Sequence, residues 1–305
     1  MAYDGLIIID KPAGPTSHDV VQRVRKVLAT RRVGHGGTLD PDATGVLLVA
    51  AGQATRFFPF LSKENKVYEG RIRLGFATDT RDASGRPVSE ECPDLPGPAD
   101  LSSAMKAFEG DILQMPPRYS AKKIAGKPVY KMARADEDFS LEPVAVTIAR
   151  FLLRDYQPPF VDFEAACSAG TYIRSLAHDL GQRLGCGAHL AALRRTSVGP
   201  YDLAQSALLA SFEEAAQKGE ADRMILPLER LLPSAPSAVV RPEAEVRVRN
   251  GRPLEPEHLS SPFPELLPEG AAANLARLFS SGGKLLALAR PTADGAGLHP
   301  FLVIA

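Results

Sequence analysis

The sequence predicts a mixed α+β fold in two domains: a large one over 1–235 with a mixed, mostly antiparallel sheet, and a small β-rich one over 236–305. Hydrophobic residues make up 45% and charged residues 24% of the 305 residues, enough for a sizeable core. Predicted strands often follow one another directly, without the regular alternation of a doubly wound sheet. A Pro- and Ser-rich stretch at 231–242 is typical of a linker and sets the boundary.

Hydrophobic periodicity predicts the first elements. Residues 5–10 form an apolar run typical of a buried strand. Apolar residues at helical spacing predict a helix over 18–30, with Thr16 or Ser17 as its N-cap. A glycine-rich loop follows, and the apolar run at 46–51 is a second buried strand.

The middle of the chain predicts a strand, a helix and a hairpin. Residues 66–75 alternate apolar and charged side chains, the pattern of a half-buried strand. Residues 99–110 have helical spacing. Two strands at 144–156 and 160–170 are separated by a Gln-Pro-Pro turn, which predicts a hairpin.

Two helices and three short strands complete the prediction. The apolar stripe over 171–185 predicts a helix that ends at Gly185, and 207–219 predicts another. The predicted strands of the small domain are 245–251, 284–290 and 301–305.

Several classes of protein are disfavoured. No apolar run approaches the roughly 20 residues that cross a bilayer, and the N-terminus lacks the basic start of a secretory signal, so we expect a cytoplasmic protein. Three sparse cysteines predict neither a disulfide framework nor a metal site. The chain has no phosphate-binding P-loop, no GxGxxG after a strand, no GxSxG elbow and no HExxH. A kinase, a dehydrogenase or a common hydrolase is therefore not indicated.

Charge is segregated along the chain although its formal net value is zero. Residues 112–135 hold six basic residues and no acidic one, whereas 201–305 hold 10 basic and 13 acidic residues. Cations neutralise phosphates and tyrosines stack on bases, so the basic segment, 118–134, predicts a contact with RNA. The alternative is a solvated loop followed by a helix. The six cations are Arg118, Lys122, Lys123, Lys127, Lys131 and Arg134.

Asp40 lies in GHGGTLDPDATGVL, between a glycine-rich approach and a buried strand. By itself the Asp-Pro pair fits a turn residue that caps the local backbone, and Asp42 competes for any catalytic role. The string resembles, however, the signature of the TruB family of tRNA pseudouridine-55 synthases, with Gly36 where the family commonly has threonine. Six further motifs resemble those of the family in order: 10–17, 66–68, 78–82, 119–123, 170–174 and 193–195.

The resemblance implies three catalytic residues. Asp40 takes the place of the family's catalytic aspartate, and Arg174 is its ion-pair partner. Tyr68 takes the place of the tyrosine that stacks on the uracil and helps remove the C5 proton. On general grounds Arg174 would instead be a surface arginine and Tyr68 a core residue. We expect Arg174, near a helix N-terminus, to keep the pKa of Asp40 low.

The resemblance also implies a set of substrate-binding residues. His35 would fill the stack that the flipped nucleotide vacates, and Tyr172 and Leu193 would line the pocket. An insertion at about 112–142 resembles the segment with which the family clamps the T-arm, and the tail resembles its PUA-like domain. The implied substrate-binding residues are His35, Tyr172, Leu193, Lys11, Arg118, Lys122, Lys123, Lys127 and Lys131.

The implied activity is isomerisation of the T-loop uridine at position 55 of tRNA to pseudouridine, after the base is flipped out. The reaction breaks a C–N bond, turns the uracil and joins C5 to C1′, so we expect no cofactor and no metal. Asp40 either attacks the nucleotide covalently or abstracts a sugar proton, and the sequence leaves both routes open. We expect a monomer that binds tRNA and needs neither a membrane nor a protein partner.

Two alternatives stay open at this point. A guide-RNA-dependent synthase shares the aspartate motif, although the basic segment and the tail favour the stand-alone form. A non-enzymatic RNA-binding module would suit the basic segment but would not need Asp40, Tyr68 and Arg174 together. A tRNA-folding role is compatible with catalysis, because opening a T-arm to flip a base helps a misfolded tRNA to refold.

Overall fold

A computed structural model of the chain describes residues 3–119, 123–124, 127–129, 132, 139–270 and 272–304. The helices in this part are α1 (Ser17–Val27), α2 (Phe58–Leu61), α3 (Pro98–Lys106), α4 (Ile173–Leu184), α5 (Leu209–Gln217) and α6 (Glu245–Arg249). The first nine strands are β1 (Gly5–Lys11), β2 (Val33–Gly36), β3 (Thr44–Ala51), β4 (Lys66–Leu74), β5 (Gly110–Gln114), β6 (Lys123–Ile124), β7 (Lys127–Pro128), β8 (Val144–Gln157) and β9 (Phe160–Cys167). The others are β10 (Ala188–Val198), β11 (Tyr201–Asp202), β12 (Ala207–Leu208), β13 (Leu226–Pro227), β14 (Ser237–Val239), β15 (Ala276–Phe279), β16 (Leu285–Pro291) and β17 (Leu298–Val303).

A large mixed sheet forms the frame of the molecule. Its main path runs β12-β1-β3-β10-β4-β9-β8-β5, and β2, β11 and β13 attach beside it. Most neighbours are antiparallel, while β3 with β10 and β1 with β12 are parallel. The predicted fold class, a mixed and mostly antiparallel sheet in an α+β fold, is confirmed. Two elements distant in sequence, β3 and β10, become central neighbours.

The central strands are buried on both faces because β1 and β3 are almost wholly apolar. Ile7 and Ile9 contribute to a core on one face, where α1 and α4 pack. Leu6 and Ile8 point to the other face and contribute to a second core. The two faces of the sheet therefore have separate layers, and α4 lies on the first.

Helix α1 begins where the sequence predicted. The Thr16 hydroxyl accepts a hydrogen bond from the Asp19 N–H at 3.1 Å, and the Asp19 carboxylate accepts one from the Thr16 N–H at 2.9 Å. This reciprocal capping box satisfies two free N–H groups at the helix start. Thr16 rather than Ser17 is the N-cap, which leaves the Ser17 hydroxyl available elsewhere. No helix in the described part of the chain is long and apolar enough to cross a membrane.

A four-stranded sheet, β14-β15-β16-β17, forms the small C-terminal domain, and it packs on the second face of the large sheet. Leu288 and Leu302 lie in one apolar cluster with Leu48 of β3. The guanidinium of Arg56 donates to the Val303 carbonyl at 2.5 Å. The small domain thus covers apolar surface that the large sheet would otherwise expose.

The predicted linker at 231–242 is not a free connection. Leu231 and Leu232 are fully buried, and Ser237–Val239 is already a strand. Proline and serine interrupt the regular elements here, but the leucines between them belong to the core that both domains share. The stretch that composition marked as a linker is therefore packed against both domains.

The predicted strand at 245–251 is wrong, because Glu245–Arg249 is a helical turn, α6. A strand would place Val246 and Val248 on the same face. In the structure Val248 is fully buried while Val246 is 58% exposed. Two valines are too few to set a period, and the Glu245–Arg249 pair at 3.6 Å fits one helical turn.

The predicted glycine-rich loop contains a short strand, β2, which pairs with β3. Gly34 and Gly36 point to the same side, and the Phe58 ring packs against both. A β-carbon would lie 2.9 Å from the ring at Gly34 and 3.1 Å from it at Gly36. The glycines predicted a loop by composition, yet here they make room for an aromatic ring beside a strand.

Candidate active site

A cavity of about 360 Å³ opens where β4, β10 and the start of α4 meet the Asp40 loop, residues 37–43. Its volume lies in the range of small-molecule sites. The structure brings together in its lining five residues that the sequence singled out. These are Asp40, Tyr68, Tyr172, Arg174 and Leu193. Their roles stay predictions, but their proximity is now an observed feature of the fold.

Backbone contacts hold the Asp40 loop in place. The Ser17 hydroxyl, freed from capping α1, accepts from the Leu39 N–H at 2.9 Å and donates to the Leu39 carbonyl at 3.1 Å. The Gly14 N–H donates to the Pro41 carbonyl at 3.0 Å. The residues on either side of Asp40 are therefore fixed by the N-terminal motif, which orients its side chain into the cavity.

The position of Lys11 contradicts the prediction that this residue contacts the RNA. Its side chain is fully buried, and its ammonium donates to the carbonyls of Pro12, Pro15 and Pro41 at 2.9, 2.8 and 2.9 Å. All three N–H groups are used, so no donor is left for a phosphate. Because Pro12 and Pro15 lie in the N-terminal turn and Pro41 lies in the Asp40 loop, Lys11 holds the turn against the loop.

Arg174 binds Asp40 through two nitrogen atoms. Its Nε lies 2.9 Å from Oδ2, and its Nη2 donates to Oδ1 at 3.3 Å. The side chain of Arg174 is only 9% exposed, because it lies on the first turn of α4, whereas that of Asp40 is 44% exposed. The bidentate pair fixes the carboxylate and leaves one side of it open to the cavity.

Asp82 is a second carboxylate on Arg174 that the sequence analysis did not assign to the site. It accepts from Nη1 at 3.2 Å, and the same nitrogen donates to the Thr80 carbonyl at 3.3 Å. Asp82 is fixed by the Thr80 hydroxyl at 2.6 Å and the Ser84 N–H at 3.0 Å. The signal was present, since Asp82 ends the 78–82 motif, but that motif carried no chemical role.

The pKa of Asp40 is raised, which contradicts the expectation of a low value. Burial at the cavity wall disfavours the charged form and is the largest cause, and the carboxylates of Asp82 and Asp42 act in the same direction. Arg174 and, more weakly, Lys11 lower the pKa but do not outweigh burial. A partly desolvated carboxylate is a better nucleophile and base than a fully hydrated one.

Tyr68 is 7% exposed and lies opposite Arg195 on the neighbouring strand. Burial raises the pKa of its hydroxyl, while the charge of Arg195 acts in the opposite direction. The phenol is therefore neutral at physiological pH. Arg195 and the nearby Lys66 also line the cavity, and neither was predicted as a site residue although both belong to matching motifs.

Tyr172 is held by a buried glutamine. Its N–H donates to Oε1 of Gln114 at 2.8 Å, and its carbonyl accepts from Nε2 at 3.1 Å. His35, by contrast, lies on β2 and is not among the residues that line the cavity. Burial lowers the pKa of the His35 imidazole, so the ring is neutral. Its role in displacing the nucleotide stays a prediction.

The basic segment meets the site through its first residues. The Tyr119 carbonyl accepts from Nη2 of Arg174 at 2.8 Å, and the Arg118 guanidinium lies 5.1 Å from the Phe139 ring centroid. Lys122 and Lys131 lie outside the described residues. For Lys123 and Lys127 only the backbone is described, as the paired strands β6 and β7. The contact of these lysines with RNA stays a prediction.

Sequence comparison identifies the protein family to which this chain belongs. A profile described as TruB family pseudouridylate synthase, N-terminal domain, matches residues 25–173, and one described as tRNA pseudouridylate synthase B C-terminal domain matches 174–233. The tRNA pseudouridine synthase B of Solibacter usitatus is 44% identical over 85% of this chain and 87% of its own length. That of Thermobifida fusca is 44% identical over 90% and 94%. The chain belongs to the TruB family.

Solved structures agree with the family. The TruB-family chain matches a structure of an H/ACA ribonucleoprotein bound to a substrate RNA containing 2′-deoxyuridine with a TM-score of 0.75 and 26% identity, over 99% of this chain and 85% of the other. It matches a Cbf5–Nop10–Gar1 complex with a TM-score of 0.76 and 27% identity, over 98% and 84%. The chain is therefore an enzyme, a tRNA pseudouridine synthase, and the non-enzymatic alternative is wrong.

Proposed function

We propose that this TruB-family enzyme converts the T-loop uridine at position 55 of tRNA to pseudouridine without a cofactor. The observation that supports this most is the Asp40–Arg174 pair at 2.9 Å, in a cavity that Tyr68 also lines. A target base inside a folded RNA loop cannot reach a carboxylate at the wall of a cavity. The base is therefore flipped out of the T-loop before the reaction begins.

Asp40 starts the reaction in its ionised form. As a nucleophile it attacks the nucleotide, and as a base it removes a proton from the sugar. Arg174 binds both carboxylate oxygens, so it holds the charged form in one orientation while burial keeps that form reactive. Tyr68 is a neutral phenol whose ring offers a flat apolar surface to the uracil, and its hydroxyl is available for the late proton transfer at C5.

The T-arm is held by the basic segment in this proposal. Six cations without an acidic residue neutralise phosphates, and the Tyr119 carbonyl joins the segment to Arg174. RNA binding to the basic segment would therefore affect the position of Arg174, which orients Asp40. The relatives at 44% identity are named tRNA pseudouridine synthase B, whereas the ribonucleoprotein matches are near 26%, which favours the stand-alone enzyme.

The test uses the purified protein alone with an unmodified T-arm stem-loop RNA. We expect wild-type protein to form pseudouridine at the T-loop uridine and Asp40→Asn to form none. Asp42→Asn is the matched control, because Asp42 is an exposed carboxylate two residues away, and it should keep most of the activity. Chemical labelling maps the product on the RNA.

Other results would change the proposal. Tight RNA binding without product would indicate a guide-RNA-dependent enzyme, and activity should then appear on adding a guide RNA with partner proteins. Loss of activity in Asp42→Asn together with an active Asp40→Asn would move the catalytic role to Asp42. Product at another uridine would keep the chemistry and change the substrate site.

A tRNA-folding role is a second proposal, supported by the need to open the T-arm before chemistry. Asp40→Asn should accelerate the refolding of a misfolded tRNA as much as wild-type protein does, because opening the T-arm does not use the carboxylate. Equal refolding rates with and without the Asp40→Asn protein would remove this role.

A further inference from the structure

Lys66 is a buried ammonium in the cavity wall. It lies at the start of β4, is 6% exposed, and donates to the carbonyls of Ser62 and Glu64 at 2.7 and 2.5 Å. Burial, followed by the nearby charge of Arg195, lowers its pKa to about 8. Lys66 is therefore charged at neutral pH, although burial makes its charged form less favourable than it is in water.

Arg195 is a second buried cation beside it. It is 1% exposed on β10, and its Nε and Nη2 donate to the carbonyls of Val46 and Gly37 at 2.7 and 3.2 Å. It lies opposite Tyr68 across the strands, and its charge acts to lower the pKa of the Tyr68 hydroxyl. Its two carbonyl partners are dipoles rather than counterions, so they leave its charge in place.

The two cations converge on one stretch of cavity wall. Gly37 has a φ of 86°, and a β-carbon on it would lie 3.6 Å from Nη1 of Arg195 and 4.0 Å from Cε of Lys66. In the described part of the chain neither cation forms a salt bridge, whereas Arg174 forms two. Within the part of the chain that the structure describes, Arg174 is thus the neutralised cation of the site, and Lys66 and Arg195 have no salt-bridge partner.

Among the described residues, no carboxylate forms a salt bridge with Lys66. Glu64 is a neighbouring carboxyl group, and its charge opposes but does not outweigh the lowering of the Lys66 pKa by burial and by Arg195. The thiol of Cys167 also faces Lys66, but burial raises its pKa to about 11, so it is neutral. Two buried cations that form no salt bridge among the described residues are unfavourable in the resting protein, so an anionic partner is expected from the reaction.

The reaction supplies such an anion. When the C1′–N1 bond breaks, its electron pair stays on N1 and the uracil becomes an anion, whether Asp40 acts as nucleophile or as base. The turned ring then forms the C1′–C5 bond with a pair from its own π system. In the covalent route the bond between Asp40 and the sugar breaks as the C1′–C5 bond forms, and in the elimination route Asp40 returns the proton to the sugar. The C5 proton then leaves and N1 gains a proton, so atoms and charge balance. Negative charge on the base exists only between the two bond changes.

We propose that Lys66 and Arg195 are catalytic residues that stabilise the departing uracil anion by their paired positive charge. This inference rests on the proposed function. The two cations act on charge that appears during the reaction, the arrangement that gives the largest electrostatic acceleration in a site closed to water. Because the resting base is neutral, they contribute more to the rate than to RNA affinity.

Lys66→Met is the main test, since methionine keeps the length of the stem and removes the charge. Rates are measured in single turnover at a mildly acidic pH, as loss of the starting nucleoside, with T-arm RNA that carries uridine or 5-fluorouridine. Fluorine withdraws electrons and makes the uracil anion less basic. We expect a loss of about 100-fold with uridine, a clearly smaller loss with 5-fluorouridine, and an unchanged Kd for the RNA.

Controls separate charge from structure. Lys63→Met, at an exposed lysine three residues away, should change neither rate, and Lys66→Arg should recover most of the activity. Lys66→Gln gives the same comparison if the methionine variant does not fold, because its amide can still donate to the Ser62 carbonyl.

Two results would overturn the inference. Equal losses with both RNAs would assign Lys66 a structural role, and a weaker Kd with an unchanged rate would assign it to a phosphate. If wild-type protein itself forms no pseudouridine, the proposed function fails instead, so the two failures are distinct.

Discussion

At the scale of single residues, the Asp40 carboxylate is subject to opposing influences. Burial and the Asp82 carboxylate raise its pKa, and Arg174 lowers it. The pair at 2.9 Å therefore does not simply stabilise a charge, because Arg174 is shared with Asp82 at 3.2 Å. Sharing weakens the hold of Arg174 on Asp40 and leaves a more basic carboxylate than an unshared pair would give.

The pH dependence of activity follows from these signs. Activity requires ionised Asp40, so kcat/KM should fall on the acid side as the carboxylate takes up a proton. Asp82→Asn removes a negative charge and should move this acid limb to lower pH, whereas Arg174→Gln removes a positive charge and should move it to higher pH. Measuring kcat/KM against pH checks both. Shifts of the same sign in the two variants would contradict the electrostatic account.

The lowered pKa of Lys66 should make the unfolding free energy depend on pH. Its pKa in the folded state is about 8 against an ordinary value of 10.5, so the folded protein binds fewer protons than the unfolded chain between these values. Stability then rises with pH through this window, by about 3 kcal/mol. The unfolding free energy of wild type minus that of Lys66→Met should increase accordingly from pH 8 to 10.5. A difference that is flat with pH, as expected for Lys63→Met, would contradict the buried charge.

At the scale of elements, the departure of Gly36 from the family's threonine has a local cause. Gly36 lies on β2, where the Phe58 ring leaves only 3.1 Å for a β-carbon. The Phe58 ring occupies the space beside both Gly34 and Gly36, where side chains of other residues would lie. The glycine therefore belongs to the packing of α2 on β2 rather than to the Asp40 loop itself.

Gly36→Thr should destabilise the protein by about 1–3 kcal/mol, because the ring must move out of a packed position. Phe58→Leu in the same chain should recover part of the loss, with a coupling of at least about 0.5 kcal/mol in a double-mutant cycle. Gly282→Thr is the control, since only the Ser280 hydroxyl lies near its β-carbon, at 3.8 Å. Denaturant unfolding gives the unfolding free energies of the two single variants, the double variant and the control. Additive effects at positions 36 and 58 would refute the contact.

At the scale of the whole molecule, the two domains share one apolar layer. Leu288 and Leu302 of the small domain lie in the same cluster as Leu48 of the large sheet, and Leu231 and Leu232 of the stretch between the domains belong to it as well. Neither domain can lose its packing without exposing apolar surface of the other. Their unfolding is therefore coupled.

A calorimetric scan of the full chain should show a single unfolding transition. Leu288→Ala, in the shared layer, and Leu286→Ala, inside the small domain, should each lower that one transition, at a cost of about 2–5 kcal/mol. Two separate transitions, with Leu286→Ala moving only one of them, would show that the domains unfold independently.

The segregation of charge predicts how salt affects RNA binding. The basic segment, not the net charge of zero, should set the salt dependence. Replacing Lys122 and Lys131 by glutamine should reduce the slope of log K against log salt by about 0.7–0.9 for each phosphate that is no longer neutralised. Lys218→Gln, beside α5 in an ion pair with Glu214 at 2.6 Å, should leave the slope unchanged. Filter binding at several salt concentrations distinguishes the two.

Much of the fold was predictable because its signals are local. The alternation over 66–75 gave β4, the Gln-Pro-Pro turn gave the β8–β9 hairpin, and the stripe before Gly185 gave α4. Each depends on residues within one element, where side-chain period and backbone geometry determine each other. The prediction at 245–251 was wrong for the same reason, since two valines carry too little period to separate a strand from a helical turn.

By itself the sequence determined the family, the order of the motifs and the residue types from which the site is built. Only the tertiary structure decided how these residues act. It buried Lys11 on three carbonyls, placed Asp82 beside Asp40 on Arg174, and set Lys66 and Arg195 at one wall, with no salt bridge to either among the described residues. Charge interactions depend on distance and burial, and residues 40, 82, 174 and 195 are far apart in the chain. The distances between these residues and their exposure to solvent are set only when β3, β4, β10 and α4 pack together.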